Sequence, residues 1–169
     1  EKLIHFILSD YSLWTVVGCT CSYSRRSTNT TSMKNQCAAE ASLLWIAFWV
    51  LGVGGVYNFI VHIAFGPFIA EQIGWPNSPF QNEVAYANLT IGILGFSSFW
   101  YRKRDYLLAA MCAYSSWFFA DGVGHVVSVI NKHDLAPSNA GIILYTDLLT
   151  PVLVVLLLWI SRHEYHRLK

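Results

Sequence analysis

Residues 75–90 read WPNSPFQNEVAYANLT, and this stretch decides the fold because it starts a helix between two apolar runs. Ser78, Pro79 and Gln81 match the N-cap, first and third positions of a helix that opens with a capping box. A helix from residue 79 to residue 100 has roughly 22 residues, the length that crosses a bilayer. It would carry Glu83 into the membrane, where a carboxylate needs a partner, a proton or a cation.

Four further apolar segments lie on either side of this helix, at residues 3–21, 41–65, 106–130 and 142–160. The chain is 54% hydrophobic and only 12% charged, and none of its 11 Lys and Arg residues falls inside the five segments. A soluble helical bundle would place basic residues on the outer face of every helix. The sequence therefore predicts an all-α polytopic integral membrane protein, a single domain over residues 1–169 built as a bundle of five transmembrane helices.

The basic residues predict the orientation of this bundle, because they cluster on alternate connections. The clusters lie between the first and second helices, between the third and fourth, and after the fifth: Arg25, Arg26, Lys34; Arg102, Lys103, Arg104; Arg162, Arg167, Lys169. The segments 22–36 and 66–78 are predicted to be loops, and the second of them has no basic residue. The positive-inside rule then places the N-terminus outside and the C-terminus in the cytoplasm.

Glycines mark the places where two of these helices are expected to touch. The second helix carries Gly52, Gly54 and Gly55, and the third carries Gly92 and Gly95. Small residues let membrane helices approach each other closely. We therefore expect close backbone packing between the second and third helices.

The ionisable residues of the predicted spans indicate a buried site. With the predicted topology they fall in the outer half of the bundle, and no Lys or Arg balances them. His5 and Asp10 are interpreted as interfacial, whereas the others are expected to converge as ligands of a cation: His62, Glu83, Asp121, His125 and Asp147. Imidazole and carboxylate groups together suit transition metals such as zinc, iron, manganese or copper.

Helical spacing adds detail to this site. Asp121 and His125 are four residues apart and share a helix face, as do Asn58 and His62. Asn88 and Asn58 are expected to support the site through hydrogen bonds between helices, as is Gln81 in addition to its capping role. In the fifth helix, Pro151 removes the hydrogen bond to the carbonyl of residue 147.

Three functions remain open at this point. The first is the binding of a cation or transition metal ion. The second is a membrane enzyme or proton relay that uses the same groups as acid and base on an apolar substrate. The third is an accessory subunit of a larger membrane complex, or a homo-oligomer, in which the polar cluster is structural. Nucleic acid is not an expected partner, and no nucleotide or phosphate-binding fingerprint is present.

Several pieces of the chain between residues 42 and 157 together resemble an uncharacterised family of small polytopic prokaryotic membrane proteins. The matching pieces are Tyr57-Asn-Phe with His62, Gly74-Trp with Ser78-Pro-Phe-Gln and Glu83-Val, Gly124-His125, Ala136-Pro with Asn139-Ala-Gly, and Tyr145-Thr-Asp147 with Pro151. The resemblance implies a helical, multi-pass fold in a prokaryotic inner membrane and brings no established activity, substrate or cofactor.

Overall fold

A computed structural model describes the backbone of residues 30–162 and the side chains of residues 38–161. The predicted first helix, at residues 3–21, lies outside this part. The described elements are α1 (Thr30–Ile46), a π-helical segment (Ala47–Val53), α2 (Gly54–Ala64), α3 (Gly66–Ile73), α4 (Phe80–Tyr101), α5 (Arg104–Lys132) and α6 (Ile142–Arg162). The prediction of an all-α fold is confirmed for the described residues.

The helix that contains residues 41–65 begins earlier than predicted. α1, the π-helical segment and α2 follow one another without a break from residue 30 to residue 64. The predicted loop at residues 22–36 is therefore wrong from residue 30 onward. No glycine or proline occurs between Thr30 and Leu51, so nothing in the backbone stops the helix there.

The predicted loop at residues 66–78 is also wrong in part, because it contains the short helix α3. Pro67 lies in the first turn of this helix, where its fixed φ angle suits a helix and its missing N–H is not needed. Gly74 ends α3 with φ of 80°, a left-handed conformation that glycine adopts without strain.

The capping box predicted for α4 is absent. The helix begins at Phe80, and Pro79, at the N-cap position, offers no side-chain hydrogen bond to the first turn. The backbone N–H of Gln81 donates to the carbonyl of Ser78 instead (3.1 Å). Because no capping box forms, the side chain of Gln81 is available for a contact with His62.

Glycines bring α2, the π-helical segment and α4 together, as predicted. A methyl group on Gly55 would stand 2.6 Å from the backbone nitrogen of Gly92 and 2.7 Å from the carbonyl oxygen of Asn88. One on Gly95 would meet the backbone of Gly52 and Ala47. The two helices therefore touch backbone to backbone, which only glycine at these positions allows.

The hydrophobic core lies between α1, the π-helical segment, α5 and α6, where Leu43, Leu51, Met111 and Val154 are fully buried. A tight turn joins α4 to α5. At the same end of the bundle Arg104 forms an ion pair with Glu40 (2.8 Å) and donates to Ser161. These contacts tie α1, α5 and α6 together at the end opposite to the polar residues described next.

Two of the described helices are long and apolar enough to cross a membrane, Ala38–Ala64 and Ile142–Ser161. α4 and α5 are long enough, with 22 and 29 residues, but they are less apolar. The five-helix transmembrane bundle and its orientation remain predictions.

Candidate metal centre

A cavity of about 580 Å³ lies at one end of the helices, beside the connections 65–79 and 133–141. Its walls come from the later turns of α2 and α5 and the early turns of α4 and α6. Most of the predicted site residues line it. The cavity therefore gathers groups that are far apart in the sequence, as the predicted alternation of helix directions requires.

Asp121, His125 and Asp147 form a compact group on one side of this cavity. Each offers one oxygen or nitrogen atom, and these atoms all lie within 4.8 Å of one another. Asp121 and His125 share a face of α5, and Asp147 approaches from α6. Gly122 allows this approach, because a methyl group there would stand 2.8 Å from the Leu148 side chain. The group has the residue types and spacing of a metal site.

The carboxylate of Asp147 is the least satisfied member of the group. Only 5% of the residue is exposed, and its Oδ2 atom has no hydrogen-bond partner. The nearest basic atom given by the structure is Nε2 of His125, at 3.9 Å, which is too long for a hydrogen bond. A buried carboxylate oxygen without a partner costs free energy, and a cation between the two side chains would remove that cost.

Asn139 sets the orientation of the His125 ring. Its amide Nδ2 donates to the carbonyl of Asp134 (2.7 Å), so its Oδ1 is an acceptor. This Oδ1 lies 2.8 Å from Nδ1 of His125, and Nδ1 must therefore carry the proton. The Nε2 atom of the neutral ring is then an unprotonated acceptor that faces Asp147, as a metal-binding imidazole requires.

A second layer of contacts holds this arrangement from the side of the two connections. The Trp75 ring stacks on His125 with 5.6 Å between centroids, and its indole N–H donates to Ser128 (3.3 Å). Ser128 donates in turn to Asp134. Asp134 also accepts from the backbone N–H of Ala136. These contacts hold the loop after α5, which carries Asn139, in place beside the His125 ring.

His62 lines the same cavity but belongs to a different contact. Its Nδ1 lies 2.7 Å from Oε1 of Gln81, which links the end of α2 to the start of α4. One turn deeper, Asn58 donates to Oδ1 of Asn88 (3.3 Å), and Asn88 donates to the carbonyl of Val84. Hydrogen bonds thus join Asn58 to Asn88 and Gln81 to His62 between α2 and α4; that these residues support a cation site stays a prediction.

Glu83 lies apart from the other predicted ligands. Its side chain is exposed and does not line the cavity. The phase of the helix explains this, because five residues separate Glu83 from the buried Asn88, a rotation of about 140° at about 100° per residue. Gln81 lies seven residues from Asn88 and shares its face. Among the described residues, the structure brings together Asp121, His125 and Asp147, with His62 elsewhere on the cavity wall.

Neither Asn139 nor Trp75 was predicted as a site residue, although both lie in the pieces that resemble the uncharacterised family. Neither role can be read from spacing, since both residues come from connections rather than from a helix face. The usable signal is chemical: a histidine that binds a metal needs an acceptor for its other ring nitrogen.

Comparison with known proteins shows which family the chain belongs to. A family of unknown function, DUF6790, matches residues 10–167. The chain belongs to this family. No curated protein and no solved structure matches it. The resemblance to an uncharacterised family is thus confirmed, and its membrane nature is not given by the family's description.

Proposed function

We propose that this DUF6790 protein is a multi-pass membrane protein that holds a divalent transition-metal ion between Asp121, His125 and Asp147. The proposal rests on one observation. The buried Oδ2 atom of Asp147 has no hydrogen-bond partner, and it faces the Nε2 atom of His125, which is also an acceptor, at 3.9 Å. Two acceptors that face each other repel unless something positive lies between them. A metal ion supplies that charge and binds both atoms.

The donor set favours zinc, manganese or ferrous iron. One imidazole nitrogen and two carboxylate groups are ligands of hard or intermediate character. A thiolate, which would favour cuprous copper, is not part of the group, and Cys112 is exposed. Three protein ligands also leave at least one coordination position open toward the cavity.

The surface of the described helices supports a membrane location. Large apolar side chains point outward on every long helix, including Trp49 on the π-helical segment, Ile93 on α4, Val127 on α5 and Val152 on α6, each between 48% and 59% exposed. Large exposed apolar surfaces are uncommon on soluble monomers. Lipid would cover these side chains in a bilayer.

Metal analysis of the purified protein in lipid nanodiscs tests the proposal. We expect about one ion per chain in the parent protein and a loss of most of it in His125→Ala, because Nε2 is the only nitrogen ligand of the group. His133→Asn is a matched control: His133 is exposed and has φ of 52°, a conformation that asparagine tolerates. Metal content that is substoichiometric and equal in all three proteins would contradict the proposal.

A further inference from the structure

The cavity beside the metal ligands is larger than an ion and its water molecules need. Its volume of about 580 Å³ falls in the range of about 300–1,000 Å³ found for pockets that bind small organic molecules. Most of its lining is apolar, with side chains from α2, α3, α4 and α5 such as Val61, Ile69, Val84 and Phe118. A pocket of this size and lining suits a small organic molecule.

The polar side chains of the cavity include two groups on different pairs of helices, and the hydroxyl groups of Tyr114, Thr146 and Thr150 also line it. The metal ligands lie on α5 and α6, and the two hydrogen-bonded pairs lie opposite, on α2 and α4. Because Nδ1 of His62 lies 2.7 Å from Oε1 of Gln81, Nε2 is the nitrogen of that ring left for an occupant. An occupant can therefore place an oxygen atom toward the metal and a hydroxyl group, which both donates and accepts, toward His62, with an apolar part against the apolar lining.

The cavity is bordered on its two sides by α2 and α6. Tyr57 on α2 and Ile143 on α6 both line it, and they are 64% and 40% exposed. Because both of these lining residues are partly exposed, the cavity is open at the surface of the described helices. An apolar chain could extend from this opening into the surrounding lipid.

We infer that the cavity binds an amphiphile, a small molecule with an oxygen-bearing head group and one apolar chain. The head group completes the coordination of the metal ion and contacts His62, and the chain lies along the apolar wall formed by α2, α3 and α4. This inference rests on the proposed metal site. It assigns that site a ligand class that the family description does not contain.

Cobalt(II) bound at the site offers a local probe, because its visible absorption changes when a ligand enters the coordination sphere. The protein in nanodiscs, loaded with cobalt(II), is titrated with octanohydroxamate and with acetohydroxamate, which share a metal-binding head group and differ in chain length. We expect octanohydroxamate to bind at least about tenfold more tightly, because each buried methylene group contributes roughly a factor of four.

Octanohydroxamate also partitions into lipid, which raises its local concentration and could by itself cause an apparent preference for the longer chain. Variants of the cavity wall separate this effect from binding in the cavity. Val61→Trp and Ile143→Trp place a large side chain in the cavity lining at positions that are not metal ligands. Both are expected to reduce the preference for octanohydroxamate by about tenfold or more. The exposed positions Val152 and Ile93, which do not line the cavity, supply the matched controls Val152→Trp and Ile93→Trp, which should keep it.

The possible failures of the two proposals can be told apart. Cobalt bound at one ion per chain, with a chain-length preference unchanged in Val61→Trp and Ile143→Trp, would overturn the inference and leave the metal site standing. The same holds if the two hydroxamates bind equally. Absence of cobalt from the parent protein would overturn both. Two cavity variants are used so that one misfolded protein does not decide the outcome.

Discussion

Oδ1 of Asn139 accepts the proton on Nδ1 of His125 over 2.8 Å, and this bond turns Nε2 of the ring toward Asp147. The loop residue thus decides which nitrogen of the histidine is available to a metal ion. Asn139 is itself fixed, because it is fully buried and donates to the carbonyl of Asp134. A hydrogen bond of this kind fixes the tautomer and orientation in which a histidine can bind a metal ion.

Replacement of this acceptor should weaken metal binding without removing a ligand. We expect Asn139→Ala to lower the affinity for zinc by about 10–100-fold, the usual effect when a metal-binding histidine loses the hydrogen-bond acceptor of its other ring nitrogen. Competition with a chelator of known affinity measures it. Asn82→Ala, at an exposed position in the first turn of α4, should leave the affinity unchanged. An unaltered affinity in Asn139→Ala would show that the bond plays no part in metal binding.

Asp147→Asn should affect the metal-free and metal-loaded proteins in opposite directions. Without metal, the substitution removes a carboxylate oxygen that has no partner, so the variant should be at least as stable as the parent. With metal, the parent gains stability through binding, by about 4 kcal/mol at a thousandfold excess over Kd, and the variant should gain little. Thermal unfolding with and without zinc measures both effects. Equal stabilisation of the two proteins by zinc would exclude Asp147 as a ligand.

The contact between α2 and α4 predicts a strong dependence on residue size. Gly55→Ala places a methyl group against the backbone of α4, and backbone cannot move aside as a flexible side chain can. We expect a loss of about 1–3 kcal/mol in the free energy of unfolding. Gly54→Ala is the neighbouring control, since its methyl group would stand 3.6 Å from the nearest atom, the carbonyl oxygen of Trp49. Thermal unfolding in the same lipid compares them, and similar stabilities would refute the packing argument.

The orientation in the membrane can be tested with cysteine labelling. In a variant whose four native cysteines are replaced by alanine, Lys103→Cys and His133→Cys mark the two ends of α5. If the basic turn faces the cytoplasm, a membrane-impermeant maleimide added to intact cells should label the second and spare the first. Labelling of Lys103→Cys but not of His133→Cys would show that the topology is the inverse of the predicted one.

The parts of the fold that follow from composition were predictable from the sequence. The absence of Lys and Arg within the apolar segments located the three helices that contain Asn88, His125 and Asp147 to within a few residues. The alternating directions of those helices then brought Asp121, His125 and Asp147 to one end. The predicted positions of these three residues agree with the structure because each depends only on the order and length of the helices.

The remaining features depend on packing that no local pattern encodes. Glu83 and Asn88 looked equally buried in the sequence, and only the rotation of α4 against α2 separates the exposed residue from the buried one. The start of the first described helix at Thr30 could not be read from the Ser- and Thr-rich segment before it. Asn139 reaches His125 because the loop folds back on α5, a contact set by Trp75, Ser128 and Asp134 together.

An anomalous difference map from crystals of the zinc-loaded protein would show directly whether Asp121, His125 and Asp147 hold a metal ion. We expect one peak per chain, about 2.0–2.2 Å from Nε2 of His125 and from an oxygen of Asp147, with an oxygen of Asp121 as the third ligand. A map with no peak between these side chains, or with the ion bound by His62 and Glu83 instead, would contradict it.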